Sequence, residues 1–393
     1  MSTATAVAEG SDAPVVAVPH EGQRDWFPGL DGLRGFLLLT LFSLHLPAPF
    51  VGTLKGGYTA MVVFFVLSGF LITTVLLREF GRRGSVHLGR FYARRAVRLL
   101  PALFVFVVAV YALSYTDPFL KSHGADNRRQ ALSTLTYFYN WVVIHGFNRD
   151  SGAPGFVAHL WSLSVEEQFY LLWPGTLWLL MRRMARVNDR SLPRLARAAV
   201  PWLVTTIVLS NLARTTIGFV FENAHSYDRA YYGTDTMASG MLIGSLAAVV
   251  RIGYPALFAR IRLMLPLVGW PAVLLLVGGV FVYPVRPSTF PFAGGFLLTE
   301  LCGIVVILCL TERTLRPLNW MCERRLIRWI GRIAYGAYVF HYMLIGRFAV
   351  YESRFRYEYE TILAITIVLA GISFHVIEKP FATWARRRFR LNT

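Results

Sequence analysis

Two adjacent carboxylates, Glu166 and Glu167, lie inside Trp161-Ser-Leu-Ser-Val-Glu-Glu-Gln-Phe-Tyr-Leu-Leu-Trp-Pro174, a segment otherwise apolar enough to cross a membrane. An ionisable side chain at bilayer depth costs at least ~2.5 kcal/mol on insertion scales, so it marks a functional site whose partner should be sought elsewhere in the chain. His45 is the best partner, because it also lies in an apolar run, Gly35 to Phe50, eleven residues after Arg34. An imidazole and a carboxylate at one depth can act as a general base and its orienting partner. The alternative is a buried polar pair that only fixes helix packing.

A second cluster supplies Arg90, Arg94, Arg95 and Arg98 in the stretch Arg90-Phe-Tyr-Ala-Arg-Arg-Ala-Val-Arg98-Leu-Leu-Pro101. Arg95 and Arg98 are three apart, which on a helix puts two guanidinium forks on one face, a geometry suited to phosphate oxygens. An ordinary basic loop beside a membrane is the competing reading. Other chemistries lack their motifs: there is no G-x-S-x-G, no Walker A loop, no G-x-G-x-x-G and no H-E-x-x-H.

The elements that must position these residues are membrane helices. Of 393 residues 55% are apolar and 16% charged, and the mean hydropathy is +0.48, too greasy for a soluble globule. Candidate spans lie near 33–51, 57–77, 98–116, 158–181, 198–218, 232–250, 264–284, 291–311, 329–349 and 360–382, with a weaker one at 131–147. Counting the weak segment as a full crossing would put the basic loop at 182–197 outside, against the positive-inside rule. The expected fold is therefore all-α and polytopic, with about ten transmembrane helices, a re-entrant or interfacial hairpin near 131–157, and both termini cytoplasmic. With Arg34 at the inner edge, His45 lies ~16 Å into the bilayer and the glutamates roughly 12–14 Å below the outer surface, at nearly one level.

Residues 1–28 have no hydrophobic core and read as a disordered cytosolic tail. An integral-membrane domain over 29–385 and a short basic tail at 386–393 complete the organisation. The net charge of +18 fits cytoplasmic loops and anionic headgroups of the lipid bilayer better than nucleic acid, which is not expected as a partner. Cys302, Cys309 and Cys322 have neither disulfide nor metal spacing and read as packing residues, and no metal site is expected.

Several ordered motifs resemble the membrane acyltransferase 3 family of O-acyltransferases, from about Leu30 to Phe381. Leu30-Asp-Gly-Leu-Arg34 with His45 resembles its Arg-x10-His element, and Val63-Phe-Phe-Val-Leu-Ser-Gly-Phe-Leu-Ile-Thr73 its second-span signature. Phe91 to Pro101 is similar to its R-x-x-R element, and Trp161 to Pro174 matches its glutamate string almost letter for letter. Tyr335-Gly-Ala-Tyr-Val-Phe-His341 and Ile377-Glu-Lys-Pro-Phe381 look like its closing signatures. Val62 stands where many members carry Asp, and Ala334 where Ser is common.

The resemblance implies a multi-pass protein of the inner (plasma) membrane that moves an acetyl or other short acyl group from cytoplasmic acyl-CoA to a hydroxyl on the far side. Acyl-CoA, acetyl-CoA above all, would be a donor substrate and no permanently bound cofactor is expected. Arg95 and Arg98 would hold its phosphates, helped by Arg34, Arg90 or Arg94. His45 would act as catalytic base with Glu166 or Glu167 aligning it, and Ser68, Trp161, Gln168 and Tyr170 are candidate pocket residues. His341 reads as structural. The acceptor would be a hydroxylated carbohydrate, glycolipid or envelope glycan, or alternatively a small molecule such as a macrolide. A multi-span transporter is the alternative of another class. Because the sequence runs only a few residues past its last span, to Thr393, the acceptor is expected to reach this pocket itself.

Overall fold

The computed structural model describes residues 27–44, 56–117, 124–145, 157–185, 191–220, 224–282, 289–351 and 358–389, and among them it is all-helical. In chain order the helices are α1 (Pro28–Leu44), α2 (Tyr58–Arg83), α3 (Leu88–Thr116), α4 (Gly124–Leu135), α5 (Tyr139–Ile144), α6 (Trp161–Ala185), α7 (Leu192–Thr215) and α8 (Ala224–Tyr232). They continue with α9 (Thr234–Met237), α10 (Ser239–Gly253), α11 (Pro255–Val282), α12 (Phe296–Glu312), α13 (Arg316–Cys322), α14 (Arg325–Tyr351), α15 (Glu358–Ile372) and α16 (Lys379–Arg388). Wider π-type turns at Thr216–Val220 and Ser373–Glu378 adjoin α7 and α15, and a kink at Ala293 and Gly294, the latter at φ 118°, precedes α12.

Among the described residues six helical stretches are long and apolar enough to cross a membrane: Tyr58–Arg83, Leu88–Thr116, Leu192–Phe219, Pro255–Val282, Pro291–Glu312 and Glu360–Arg388. The other four expected spans fall on helices that are short or charged. α1 has 17 residues and α10 has 15. α6 carries Glu166 and Glu167, and α14 carries Arg325, Arg328 and Arg332. Three of these four, α1, α6 and α14, line the interior cavity described below.

The segment that decided the expected topology forms two short helices, α4 of 12 residues and α5 of 6. At a rise of ~1.5 Å per residue neither crosses ~30 Å of hydrocarbon. Tyr137, with φ 53°, breaks the chain between them in the left-handed region.

Close helix crossings hold the bundle together. A Cβ on Gly69 of α2 would collide with the Met241 carbonyl of α10, and one on Gly244 with the Val66 carbonyl. Gly240 and Gly244 form a small-x-x-x-small pattern, which lets backbones approach where lipid supplies no hydrophobic drive. The α1–α14 crossing is equally tight, with Gly331 against the Asp31 carbonyl and Gly35 beside that of Ile327. α2 ends where apolar periodicity stops, capped by Gly84 at φ 63° with its N–H on the Phe80 carbonyl, and Arg82 and Arg83 complement the helix dipole.

All three cysteines are buried, and burial beside Glu323 pushes the Cys322 thiol up to about 12, consistent with packing residues. Arg386–Arg388 form the last turn of α16. Residues 1–26 and 390–393 lie outside the described residues.

A fully buried ion pair braces the far half of the bundle. Arg214 of α7 donates to Glu300 of α12 at 2.7 and 3.3 Å and to Asn211 at 2.6 Å, while Ser239 donates to Glu300 at 2.8 Å. The Phe296 ring lies 4.9 Å from the guanidinium. Removing one partner strands the other charge, so Glu300→Leu alone is expected to lower stability by about 3–5 kcal/mol, and the double change Arg214→Leu/Glu300→Leu by much less. Unfolding of the purified variants in detergent, followed by tryptophan fluorescence, checks this; equal losses in the two would contradict it.

Candidate active site

The interior cavity has a volume of about 150 Å³ and lies between α1, α2, α3, α6 and α14. Its polar lining is Arg34 from α1, Ser68 from α2, Arg95 and Arg98 from α3, Ser162, Glu166 and Tyr170 from α6, and Arg332, Tyr335 and Tyr338 from α14. Leu38, Leu41, Met61, Phe64 and Phe65 supply much of its apolar wall. The tight α1–α14 crossing at Gly331 brings Arg332 onto the same cavity as Arg34.

The adjacent glutamates have separate tasks. Successive helical residues point about 100° apart, so only one of the two can face a given neighbour. Glu166 faces the cavity and accepts hydrogen bonds from Ser68 and, at 2.5 Å, from Tyr170 one turn along α6. Glu167 faces α3 and takes Arg95 in a fork, Nη2 to Oε1 at 2.5 Å and Nε to Oε2 at 3.0 Å. The Arg95 guanidinium also lies over the Tyr170 ring, 3.2 Å from its centroid. Ser68, Glu166, Tyr170, Arg95 and Glu167 therefore form one continuous polar network across three helices.

The remaining arginines of the expected cluster diverge. Arg34 pairs with Asp31 at 3.6 Å. Arg94 reaches Glu79 at 3.4 Å, and Arg90 lines an open groove with His87 and Trp178. Arg94, Arg98, Arg332, Glu378, Lys379 and Arg386 line a second cavity of about 350 Å³. Arg98 and Arg332 belong to both cavities, which makes them the shared wall. Pro101, three residues beyond Arg98, cannot donate to the Val97 carbonyl, and nearby Tyr335 donates to the Leu99 carbonyl at 2.9 Å.

Trp161 and Gln168 do not line the cavity among the described residues. Trp161 packs edge-on to Phe65 and against Tyr231 and Tyr232, with ring centroids 6.5, 5.0 and 4.9 Å away. Gln168 uses its whole amide as a tie: it donates to the Tyr137 carbonyl at 2.7 Å and to Asn140 at 3.0 Å, and accepts from Trp141 at 3.3 Å and Thr234 at 2.5 Å. His45 lies outside the described residues; α1 is described to Leu44, and Leu41, four residues earlier in sequence, lines the cavity.

Arg332 and His159 are residues that sequence reasoning passed over. Arg332 carried a signal, a charge inside an expected span at 329–349. His159, buried two residues before the glutamate string, stacks on Tyr342 and lies 4.8 Å from the ring of His341. Tyr338 donates to the His159 carbonyl and bonds the Ser162 hydroxyl at 2.6 Å, so this aromatic block holds one wall of the cavity. His341 Nδ1 lies 2.7 Å from the Tyr338 carbonyl.

Apolar helices around an enclosed network of arginines, carboxylates and hydroxyls define a polytopic membrane protein with an internal polar site. The chain belongs to the membrane acyltransferase 3 family, the family description "Acyltransferase domain" matching residues 27–375. It is 31% identical over 383 residues to "Putative peptidoglycan O-acetyltransferase YrhL" of Bacillus subtilis (strain 168), covering 94% of this chain and 57% of that protein. It is 31% identical over 370 residues to "Peptidoglycan O-acetyltransferase OatA" of Listeria monocytogenes serovar 1/2a, covering 91% and 56%. A "Putative O-acetyltransferase SACOL0978" of Staphylococcus aureus (strain COL) is 27% identical over 373 residues, covering 91% and 57%. The chain thus spans a little over half the length of these relatives. No solved structure matches it.

Gln168→Leu is expected to strand the Tyr137 carbonyl and the Asn140 side-chain oxygen as acceptors and the Trp141 and Thr234 donors, at about 1–3 kcal/mol for each group left unsatisfied. Hydrogen exchange should quicken in residues 136–145 and leave α2 protected. Unchanged exchange there would show that Gln168 does not anchor α5.

Proposed function

We propose that this chain is a membrane O-acyltransferase that moves a short acyl group, acetyl foremost, from acyl-CoA to a hydroxyl of a cell-envelope glycan. Peptidoglycan is the leading acceptor, because relatives carry that substrate in their names. The observation that carries the reading is one enclosure in which Arg34, Arg98 and Arg332 face the carboxylate of Glu166. The arginines suit the phosphates of a nucleotide-bearing donor, and the carboxylate suits proton management beside the acyl carbon.

On this reading the donor enters past Arg94, Lys379 and Arg386 from the cytoplasmic side and its thioester reaches the inner cavity. His45 removes the proton of the acceptor hydroxyl as its oxygen bonds the thioester carbonyl carbon. The C–S bond then breaks, and the departing sulfur takes the proton back from the imidazolium, leaving ester and free CoA. Glu166, held by Ser68 and Tyr170, stabilises the charged imidazole, while Glu167 keeps Arg95 and Tyr170 in place. Each residue bonded to Glu166 is thereby a support for proton transfer, a step that contributes about 10²–10⁴ in rate.

The test is transfer of label from radiolabelled acetyl-CoA to peptidoglycan fragments and envelope glycolipids by purified protein in detergent. Wild type should label an acceptor, while His45→Ala and Glu166→Gln should lose at least about a hundredfold in kcat with the protein still folded. Label transfer undiminished in His45→Ala would overturn the mechanism. A wild type that moves a solute across vesicles and transfers no acyl group would overturn the enzyme reading.

A further inference from the structure

The two arginines that share the R-x-x-R spacing are not equivalent. Arg95 is already satisfied: Glu167 neutralises it through both oxygens, and the Tyr170 face covers the guanidinium. To bind a phosphate it would have to leave a bidentate carboxylate and strand Glu167 within the bundle, which is costly. Arg98 and Arg332 are different. Among the described residues neither has a hydrogen-bond or ion-pair partner within 4 Å, and both are exposed to the cavities that they line. Arg34, on the same cavity, pairs among the described residues with Asp31 alone, at 3.6 Å.

Like charges do not gather without a reason. Arg34 and Arg95 both repel Arg98 electrostatically. The nearby Glu378 accepts from Ser373 at 3.1 Å and forms no ion pair with Arg98 among the described residues. Three guanidiniums line one cavity with a single carboxylate, Glu166, and two of them, Arg98 and Arg332, form no ion pair among the described residues; this excess of positive charge makes an anion site. Lys379 and Arg386 extend it into the second cavity, so the basic lining continues on both sides of the shared wall.

We propose a division of labour: Arg95 is a positioning residue that locks Glu167 and Tyr170, while the anionic part of the donor is held by Arg98 and Arg332 together with Arg34. Arg332, on the far helix α14, thereby becomes a donor-binding residue at full rank with Arg98. The inference rests on the proposed acyl-CoA donor and adds which cations hold it. The charge match is a polyphosphate, since one carboxylate or one phosphate would leave part of the wall uncompensated.

The experiment measures binding and catalysis separately. Free CoA, which cannot react, is titrated against purified protein in detergent by calorimetry, and acetyl transfer is measured in parallel. Arg98→Gln and Arg332→Gln should each weaken CoA binding and raise KM by at least about tenfold, with kcat within about twofold. Arg332→Lys should recover part of the affinity, because it restores the charge without the fork. Arg95→Lys should instead lower kcat at least about tenfold while CoA affinity stays within about twofold. Its melting temperature, read with that of Glu167→Gln, separates lost positioning from lost folding. CoA binding by wild type with unchanged affinity in Arg332→Gln overturns the division of labour and leaves the acyl-CoA reading standing. Loss of CoA affinity in well-folded Arg95→Lys also overturns it. Failure of wild type to bind CoA overturns the donor reading, and this inference with it.

Discussion

The pairing of Arg95 with Glu167 is the interaction on which the site depends. A charge inside an apolar bundle is tolerable only with a partner, and the fork between α3 and α6 supplies both partners at once. Its effect reaches beyond two residues. With Glu167 committed to α3, helical geometry turns Glu166 to the cavity, and Tyr170, one turn on, both donates to Glu166 and roofs Arg95. Ser68 closes the arrangement from α2. One ion pair thus sets the orientation of a carboxylate that is not part of it.

Packing makes this geometry available. The α2–α10 and α1–α14 crossings are so close that glycines are the only residues that fit at Gly69, Gly244 and Gly331. The first crossing fixes α2, which carries Ser68. The second brings Arg34 and Arg332 to one wall although nearly three hundred residues separate them in sequence. Arg214 and Glu300 perform the bracing on the other half of the bundle, where the helices are joined by charge as well as by shape.

The fold class was legible because composition and apolar runs are nearly independent of tertiary detail. The family was legible because its motifs are contiguous and ordered. The separation of the two glutamates was not, since the identity of the one that faces the cavity depends on where α2 and α3 stand around α6. Gln168 illustrates the same limit: its position beside the glutamates suggested a pocket, whereas the amide is consumed by α5 and Thr234. Arg214, Glu300 and Arg332 each interrupted an expected span and so carried a readable sign. Pairing them required the distances. The short α4 and α5 were legible as something less than a crossing, from the charge of the next loop alone.

The wall shared by the two cavities bears on how fast such a site can turn over. Cations that grip a distant phosphate bind donor, transition state and spent thiol almost equally, so they lower the concentration of donor needed without lowering the chemical barrier. The same grip retains the product. On the proposed reading, a site built around Arg98 and Arg332 would gain affinity at the expense of release, and free CoA would compete with the donor for it. On that reading, a wider basic chamber of about 350 Å³ beside an inner one of about 150 Å³ would leave room on the far side of the shared wall, so that capture need not prevent departure.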